Sequence, residues 1–450
     1  MRKFYLGAVL LACIQPPTYA QLLNTQGALN QLNTVNRQLE VTTEQIQRKA
    51  ERDLQQLKPT VNRLANTTDK LADPLLKLPQ QLPILTSTGR TAFVEVEVEN
   101  GWRAVQQEWL IMLDENELAS LQQLPITIVE KTRFTELEMT LVRFHVPAEL
   151  DSLAALKKQL PAGLAARLDR NHIYASQAVP TNTLENNSSS ASVCKDAVKI
   201  GMIDTAIKID HPSFNAQHSA GKITTRNFLE EKLAEPDAHG TAVAGLLIGK
   251  SGDLTPLLPN ASVYAASVFY ARNDYAQGAT MINLVRALNW LLAENVAVIN
   301  MSLAGPDNQI LAAVIAKSIS SGKAIVAAAG NEGPAAPPMF PAAYPNVIAA
   351  TAVDHENKIY RWANRGSHIY FAAHGVSVLT ARSSGGVGRE SGTSMAAPVV
   401  SAFLSCELQK NNNMAIALKN LRSRAIDLGE PGRDTIFGYG LLDQTVNSAQ

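Results

Sequence analysis

Three short segments hold residue types that together could perform nucleophilic chemistry. They are Asp204-Thr205-Ala206, His239-Gly240-Thr241-Ala242-Val243-Ala244-Gly245 and Ser391-Gly392-Thr393-Ser394-Met395-Ala396-Ala397-Pro398. A serine hydroxyl is a weak nucleophile until a neighbouring base takes its proton, and an imidazole held by a carboxylate is such a base. Singly, each residue has a plainer reading: a lone histidine is more often structural, and a serine at a helix start is more often a cap. The third segment opens a helix, which puts Ser394 where backbone amides converge and the helix dipole favours negative charge.

The surrounding elements bring these residues toward one place. From Val198 onward, short apolar runs (198–203, 262–268, 296–300, 324–328 and 347–352) alternate with helical stretches at 279–294 and 309–321. Continuous apolar strands joined by crossover helices imply an α/β fold with a doubly wound, mostly parallel sheet covered on both faces. Ligands bind such sheets beyond the carboxyl ends of the strands. Asp204, Ser302 and Asn331 each follow an apolar run, so three strands deliver polar groups to one rim. Residues 104–178 read as strand, helix, two strands, helix and strand, the order of a small ferredoxin-like α+β domain. Residues 21–90 repeat apolar side chains at helical spacing and contain Pro59, which suits a helical arm, either a coiled-coil hairpin or an arm that binds a partner. Residues 179–194, rich in Ser, Thr and Asn, read as an exposed linker.

The three chemical segments in the order Asp, His, Ser resemble the subtilisin-like serine peptidases, or subtilases. The resemblance spans 198–449 and includes Asp210-His211-Pro212, Asn300-Met301-Ser302-Leu303, Ala329-Gly330-Asn331-Glu332-Gly333 and Pro341-Ala342-Ala343-Tyr344-Pro345. It implies a serine endopeptidase with Ser394 as nucleophile, His239 as base and then acid, and Asp204 as the group orienting the imidazole. Asn331 would donate to the oxyanion with the Ser394 amide. Protein or peptide substrates would extend along Ser302, Leu303, Ala304 and Gly305. That segment, with Ala328, Ala329 and Gly330, would wall an uncharged first specificity pocket, so an apolar residue is expected before the cut. The stretch 333–341 looks short, and Met339 is a candidate pocket floor. Residues 104–178 resemble the family's inhibitory propeptide, which implies an intramolecular inhibitor and self-cleavage between Tyr174 and Ala178. The chain departs from the family pattern at Ala206, at Ala373-His374-Gly375 and at Val399-Val400-Ser401-Ala402, none of them a triad position. His211, His355 and His374 are expected to be structural. The family also raises calcium, but no liganding loop is recognisable and no cofactor is assigned. The rival reading is a catalytically silent homologue that binds peptides or a partner.

Composition agrees with a site-based function. Lys+Arg and Asp+Glu both number 40, so no basic surplus points to nucleic acid. Arg2 and Lys3, an apolar run from Phe4 to Ile14 and Thr18-Tyr19-Ala20 read as an export signal over 1–20, with secretion or periplasmic delivery as the outcome. Leu10-Leu11-Ala12-Cys13 offers the alternative of lipid anchoring through Cys13. With a peptidase domain over 195–450, Cys194 and Cys406 both approach the side of the sheet opposite the rim, since Cys406 lies ~18 Å down a helix from Ser394. A bridge between them and two buried free thiols remain the two readings.

Overall fold

The computed structural model describes residues 78–114, 117–176, 191–215, 220–230, 232–273 and 276–444, and the backbone of 179–180. The export signal, Cys13 and most of the 21–90 arm lie outside the described residues. The last part of that arm is not helical: Gln81–Leu85 is a strand, β1. Pro79 and Pro83 remove amide donors that a helix needs, and Thr86 to Gly89 supply a turn.

The amino-terminal module continues with β2 (Thr91–Glu97), β3 (Arg103–Leu113), α1 (Leu118–Leu121), β4 (Thr127–Phe134), β5 (Met139–His145), α2 (Leu153–Gln159), α3 (Ala162–Ala165) and β6 (Leu168–Ser176). Strands β4, β5, β3 and β6 lie side by side in antiparallel pairs. Trp109, Ile111, Val142, Phe144, Leu156 and Leu168 fill the layer beneath α2 and α3. β1 and β2 form a hairpin that extends this sheet beyond β3.

The chain then runs through β7 (Val179–Pro180), β8 (Lys199–Asp204), β9 (Lys222–Asn227), α4 (Ala238–Ile248), β10 (Ser262–Ser267), β11 (Tyr270–Ala271), β12 (Gln277–Thr280) and α5 (Met281–Ala293). It continues with β13 (Val298–Met301), β14 (Leu303–Ala304), α6 (Gln309–Ser320), β15 (Ala324–Ala328), β16 (Ile348–Val353), β17 (Ile369–His374), β18 (Val378–Ala381), β19 (Val387–Ser391), α7 (Thr393–Asn411) and α8 (Met414–Arg424). Seven of these strands form one sheet in the order β17-β16-β15-β13-β8-β10-β9. Every pair in it is parallel. The strands are buried on both faces: α4 and α7 pack on one side with Met202, Val298 and Val326, and α5 and α6 on the other with Ile203, Ile299 and Ile325. This is the α/β, doubly wound architecture expected from the alternation of apolar runs and helices. Residues of opposite faces alternate along each strand, as the pleat requires.

Cys194 and Cys406, 212 positions apart in sequence, are joined by a disulfide with Cα atoms 6.1 Å apart. It ties the segment before β8 to α7.

Candidate active site

The rim gathers the polar ends of β8, α4, β13, β15 and α7. Asp204 is the last residue of β8, buried to 1% exposure, and its Oδ1 accepts hydrogen bonds from the Thr205 amide at 2.7 Å and from His239 Nδ1 at 2.6 Å. His239 stands in the first turn of α4. Its position is fixed from behind, because the Gly240 amide donates to Thr205 Oγ1 at 2.7 Å. A Cβ at Gly240 would come within 2.5 Å of the Thr205 and Ala206 carbonyl oxygens, so only glycine lets the helix start this close to β8. With Nδ1 paired to Asp204, the ring presents Nε2 on the other side, and that atom is buried without a hydrogen-bond partner. A nitrogen aimed into the site in this way is positioned to exchange a proton with a group placed there.

Ser394 lies in the first turn of α7, fully buried, after Gly392 as N-cap. Gly392 has φ 147, a backbone setting that admits glycine readily and lets the chain turn sharply from β19 into the helix. Ser302 Oγ donates to the Ser394 carbonyl at 2.9 Å, and accepts from Asn300 Nδ2 at 2.9 Å. Ser401 Oγ in turn donates to Asn300 Oδ1 at 3.1 Å, so a buried polar chain couples β13 to α7. Asn331 Oδ1 accepts from the Thr393 amide at 3.1 Å and from Thr393 Oγ1 at 3.0 Å. With its oxygen so engaged, the Asn331 amide turns its Nδ2 donor the opposite way. The structure therefore brings Asp204 to His239, and Asn331 and Ser302 to the Ser394 segment. Among the described groups no hydrogen bond is made by the imidazole Nε2 to Ser394.

The residues expected to wall the cleft are together as well. Ala328 and Ala329 are buried at the end of β15, and the Gly330 amide donates to Thr393 Oγ1 at 3.2 Å. β14 carries Leu303 and Ala304, and Gly305 pairs with Phe340. Met339, next to Phe340 in sequence, is buried. His211 and His374 make backbone-directed bonds away from the rim, to Gly386 O and Asp354 O. Glu390, next to the Ser394 segment on β19, is raised above its usual carboxylate range by burial, with Arg382 and the nearby His239 opposing. Among the described residues no group of three or more His, Cys, Asp or Glu side chains is placed to hold a metal ion.

The cleft is filled by the chain itself. β6 lies antiparallel against β14, with Ser176 opposite Leu303 and Ala175 opposite Ala304. On its other edge Tyr174 pairs with Ala279 and Ile173 with Thr280 of β12. The backbone reappears at β7, where Val179 pairs with Ser391 and Pro180 with Glu390. Tyr174 is wholly buried, donates to the Pro306 carbonyl at 2.9 Å and lies over Gly305, whose missing Cβ would sit 2.3 Å from the ring. Sequence reasoning missed the part played by Thr393 and β12. Thr393 carried a signal, standing between two residues already singled out; β12 carried none, because Ala279 and Thr280 read as the start of a helix that begins only at Met281.

A model of the subtilase family matches residues 195–440, more than half of the chain. The chain belongs to the subtilase family. It is 32% identical over 254 residues to subtilisin E of Bacillus subtilis (strain 168), covering 55% of this chain and 64% of that protein. It is 31% identical over 254 residues to subtilisin of Bacillus pumilus, covering 55% of this chain and 89% of the relative. To the minor extracellular protease Epr of Bacillus subtilis (strain 168) it is 29% identical over 252 residues, 54% of this chain and 37% of that one. The chain thus spans between about a third and nine-tenths of these relatives. The crystal structure of fervidolysin from Fervidobacterium pennivorans, a keratinolytic enzyme related to subtilisin, superposes with a TM-score of 0.60 at 18% identity, covering 82% of this chain and 63% of that one. That likeness concerns fold, and its extent carries it ahead of residue 195 into the amino-terminal module.

Within the subtilase frame the module's seat is chemically specific. Asn171 Oδ1 accepts from the Ile282 amide at the start of α5, and Asp169 Oδ2 from the Gln309 amide at the start of α6. Each helix thus has one orphan amide satisfied by β6, and in α6 this adds to the Asn308 side chain, which accepts from the Ile310 and Leu311 amides. Asp169 is pushed up to about 6 by burial, against the Gln309 and Arg170 amides. His172, between them, is pulled down to about 4 by burial and by the charge of Arg170.

Proposed function

We propose that this chain is an exported serine endopeptidase made as a self-inhibited precursor, with Asp204, His239 and Ser394 as triad and Asn331 as oxyanion donor. The observation that carries this reading is the strand β6, laid as an antiparallel third strand between β14 and β12 and leading directly to β7 beside Ser391. A peptide held so has its backbone recognised on both edges, which suits a hydrolase acting on many sequences. In the reaction, Ser394 Oγ attacks the substrate carbonyl as its proton passes to His239 Nε2. Asp204 stabilises the imidazolium, and Asn331 Nδ2 with the Ser394 amide receives the oxyanion. His239 then gives the proton to the leaving amine. A water deprotonated by the same imidazole hydrolyses the acyl-enzyme and frees the serine.

Self-cleavage falls within residues 176–179, between the last pairing of β6 and the first of β7. The enclosed Tyr174 predicts a preference for an aromatic residue a few places before the cut. Export follows from residues 1–20 and agrees with a disulfide, which persists in oxidising compartments. Labelling with a fluorophosphonate probe tests the enzyme: wild type should react and Ser394→Ala should not. Amino-terminal sequencing of the processed protein tests the rest. An unlabelled wild type points to the silent-homologue reading. A Ser394→Ala protein that matures at the same bond in a protease-free host rules out self-cleavage.

A further inference from the structure

The module also reaches the subtilase domain one strand beyond the cleft, where the β1–β2 hairpin meets β11, the neighbour of β12. Glu95 of β2 is fully buried. Its Oε1 accepts from Tyr270 Oη at 2.6 Å and from Arg272 Nε at 2.8 Å, both on the β11 edge of the other domain. Its Oε2 accepts from Arg103 Nε at 2.9 Å within its own module. Around this carboxylate the contact is apolar: Phe93 meets the Tyr270 ring edge-on at 5.2 Å, and Ile84, Val105 and Ile173 pack with Leu229 and Leu233. The hairpin turn is pinned separately, with the Ser87 amide donating to Lys232 O at 2.7 Å and Thr86 bridging Leu233.

A carboxylate removed from water is costly unless its lone pairs are taken by charged or strong donors. Here they are, but two of its three donors belong to the domain that the module inhibits. None of these contacts involves the residues between β6 and β7, so cutting the chain there leaves all of them intact. Tyr270 is held as a donor, since burial and the adjacent Glu95 raise it well above its usual range.

We propose that the Tyr270–Arg272 edge is an exosite for the chain's own hairpin, residues 81–97, and that Glu95 seated in it keeps the severed module bound after the cut. The inference rests on the precursor reading above and extends the inhibitory unit from 104–178 back to Leu78. Activation then has two events: bond cleavage in the cleft, and withdrawal of Glu95 from its socket.

The test separates these events by taking self-cleavage away. A full chain carrying Ser394→Ala and a recognition sequence for a site-specific protease within residues 181–190 is nicked by that protease, and release of the amino-terminal fragment is timed by size-exclusion chromatography. The nicked parent should remain associated. Glu95→Gln should release its fragment about ten- to a hundredfold faster, as expected when one partner of a buried charged hydrogen bond is lost. Tyr270→Phe, which removes one hydroxyl and keeps the buried ring, should do so about tenfold faster. The combined variant should be little faster than Glu95→Gln alone, since both act on one contact. Should Glu95→Gln disturb the hairpin's own folding, Tyr270→Phe still decides the matter from the opposite side. Release at the parental rate in Tyr270→Phe, or prompt release from the nicked parent, overturns the exosite whatever the outcome for self-cleavage.

Discussion

The catalytic rim and the seat of the amino-terminal module are built by opposite means. At the rim, small residues let backbones approach closely, and short side chains hold each other: Thr205 fixes the Gly240 amide, Thr393 fixes Asn331, and Ser302 reaches the Ser394 carbonyl. At the seat, long charged side chains cross between domains. Arg143 meets Glu230 at 2.7 Å, and Arg286 meets both Glu230 and Glu130. A cavity of about 280 Å³ lies beside them, lined by Glu108, Arg143, His145, Asn171, Thr280 and Asn283 among others. The difference suits a site that must keep its geometry and, on the precursor reading proposed above, an interface that later parts. Charged side chains can be taken up by water when the domains part, whereas a packed backbone contact cannot be remade with other partners.

The comparison breaks first at the rim. Asn331→Leu keeps the volume but removes the amide, and turnover should fall about a hundred- to a thousandfold with KM nearly unchanged, a magnitude known from a subtilisin's own oxyanion asparagine. Peptide hydrolysis under saturating substrate measures it. If KM moved instead, Asn331 would be a binding residue and the rim would lose its fourth member.

Next is the bridge that braces the rim's helix. The paired change Cys194→Ser with Cys406→Ser should cost about 2–5 kcal/mol of stability, because it frees a loop of 212 residues in the unfolded chain. Denaturant unfolding of Ser394→Ala, which excludes self-digestion, reads this directly. A loss confined to the amino-terminal module would contradict the placement of the bridge.

At the seat the expected effects are smaller and depend on pH. Asp169, raised by burial to about 6, favours the seated state below its ordinary value of 3.8, and that contribution is lost as pH rises through 6. His172, lowered by burial to about 4, favours the seated state above 6.5, and its contribution is lost as pH falls through 4. Between 4 and 6 the two slopes oppose each other, so release of the nicked module should vary little with pH there. Asp169→Asn unmasks the histidine, and release should then quicken by up to about tenfold per unit as pH drops from 6.5 to 4. His172→Gln unmasks the carboxyl, and seating should tighten as pH drops from 6 to 3.8. A pH series of fragment release on both variants checks the signs. Smallest of all, 0.5 M salt should hasten release through the exposed part of the Arg143–Glu230–Arg286–Glu130 ring while leaving the Asp204–His239 pair untouched.

Much of the rim could be read in the chain because its residues sit at the ends of apolar runs, where the type of side chain is dictated locally. Asp204, Ser302 and Asn331 each end a strand that is apolar for reasons of burial alone. What holds them was harder to see: Thr393 and Ser401 are small polar residues inside a helix, and nothing local marks them as partners of Asn331 and Asn300. The seat was least legible. Nothing local marks Glu95 as a buried group, yet it is the most buried residue of β2. Its partner Arg272 stands 177 positions away, so no window of sequence contains both. The reach of the α+β module back to residue 78 was missed because Pro79 and Pro83 mark the end of a helix more plainly than the start of a strand.

The disulfide has a consequence for what comes after maturation. On the proposed cut ahead of β7, the segment before β8 becomes the amino-terminal thread of the peptidase domain, and chain ends are where proteases begin. Cys194 stitches that thread to α7 five residues before β8 begins. Fraying therefore stops at the knot, and the central strand that carries Asp204 is spared the fate of an ordinary chain end.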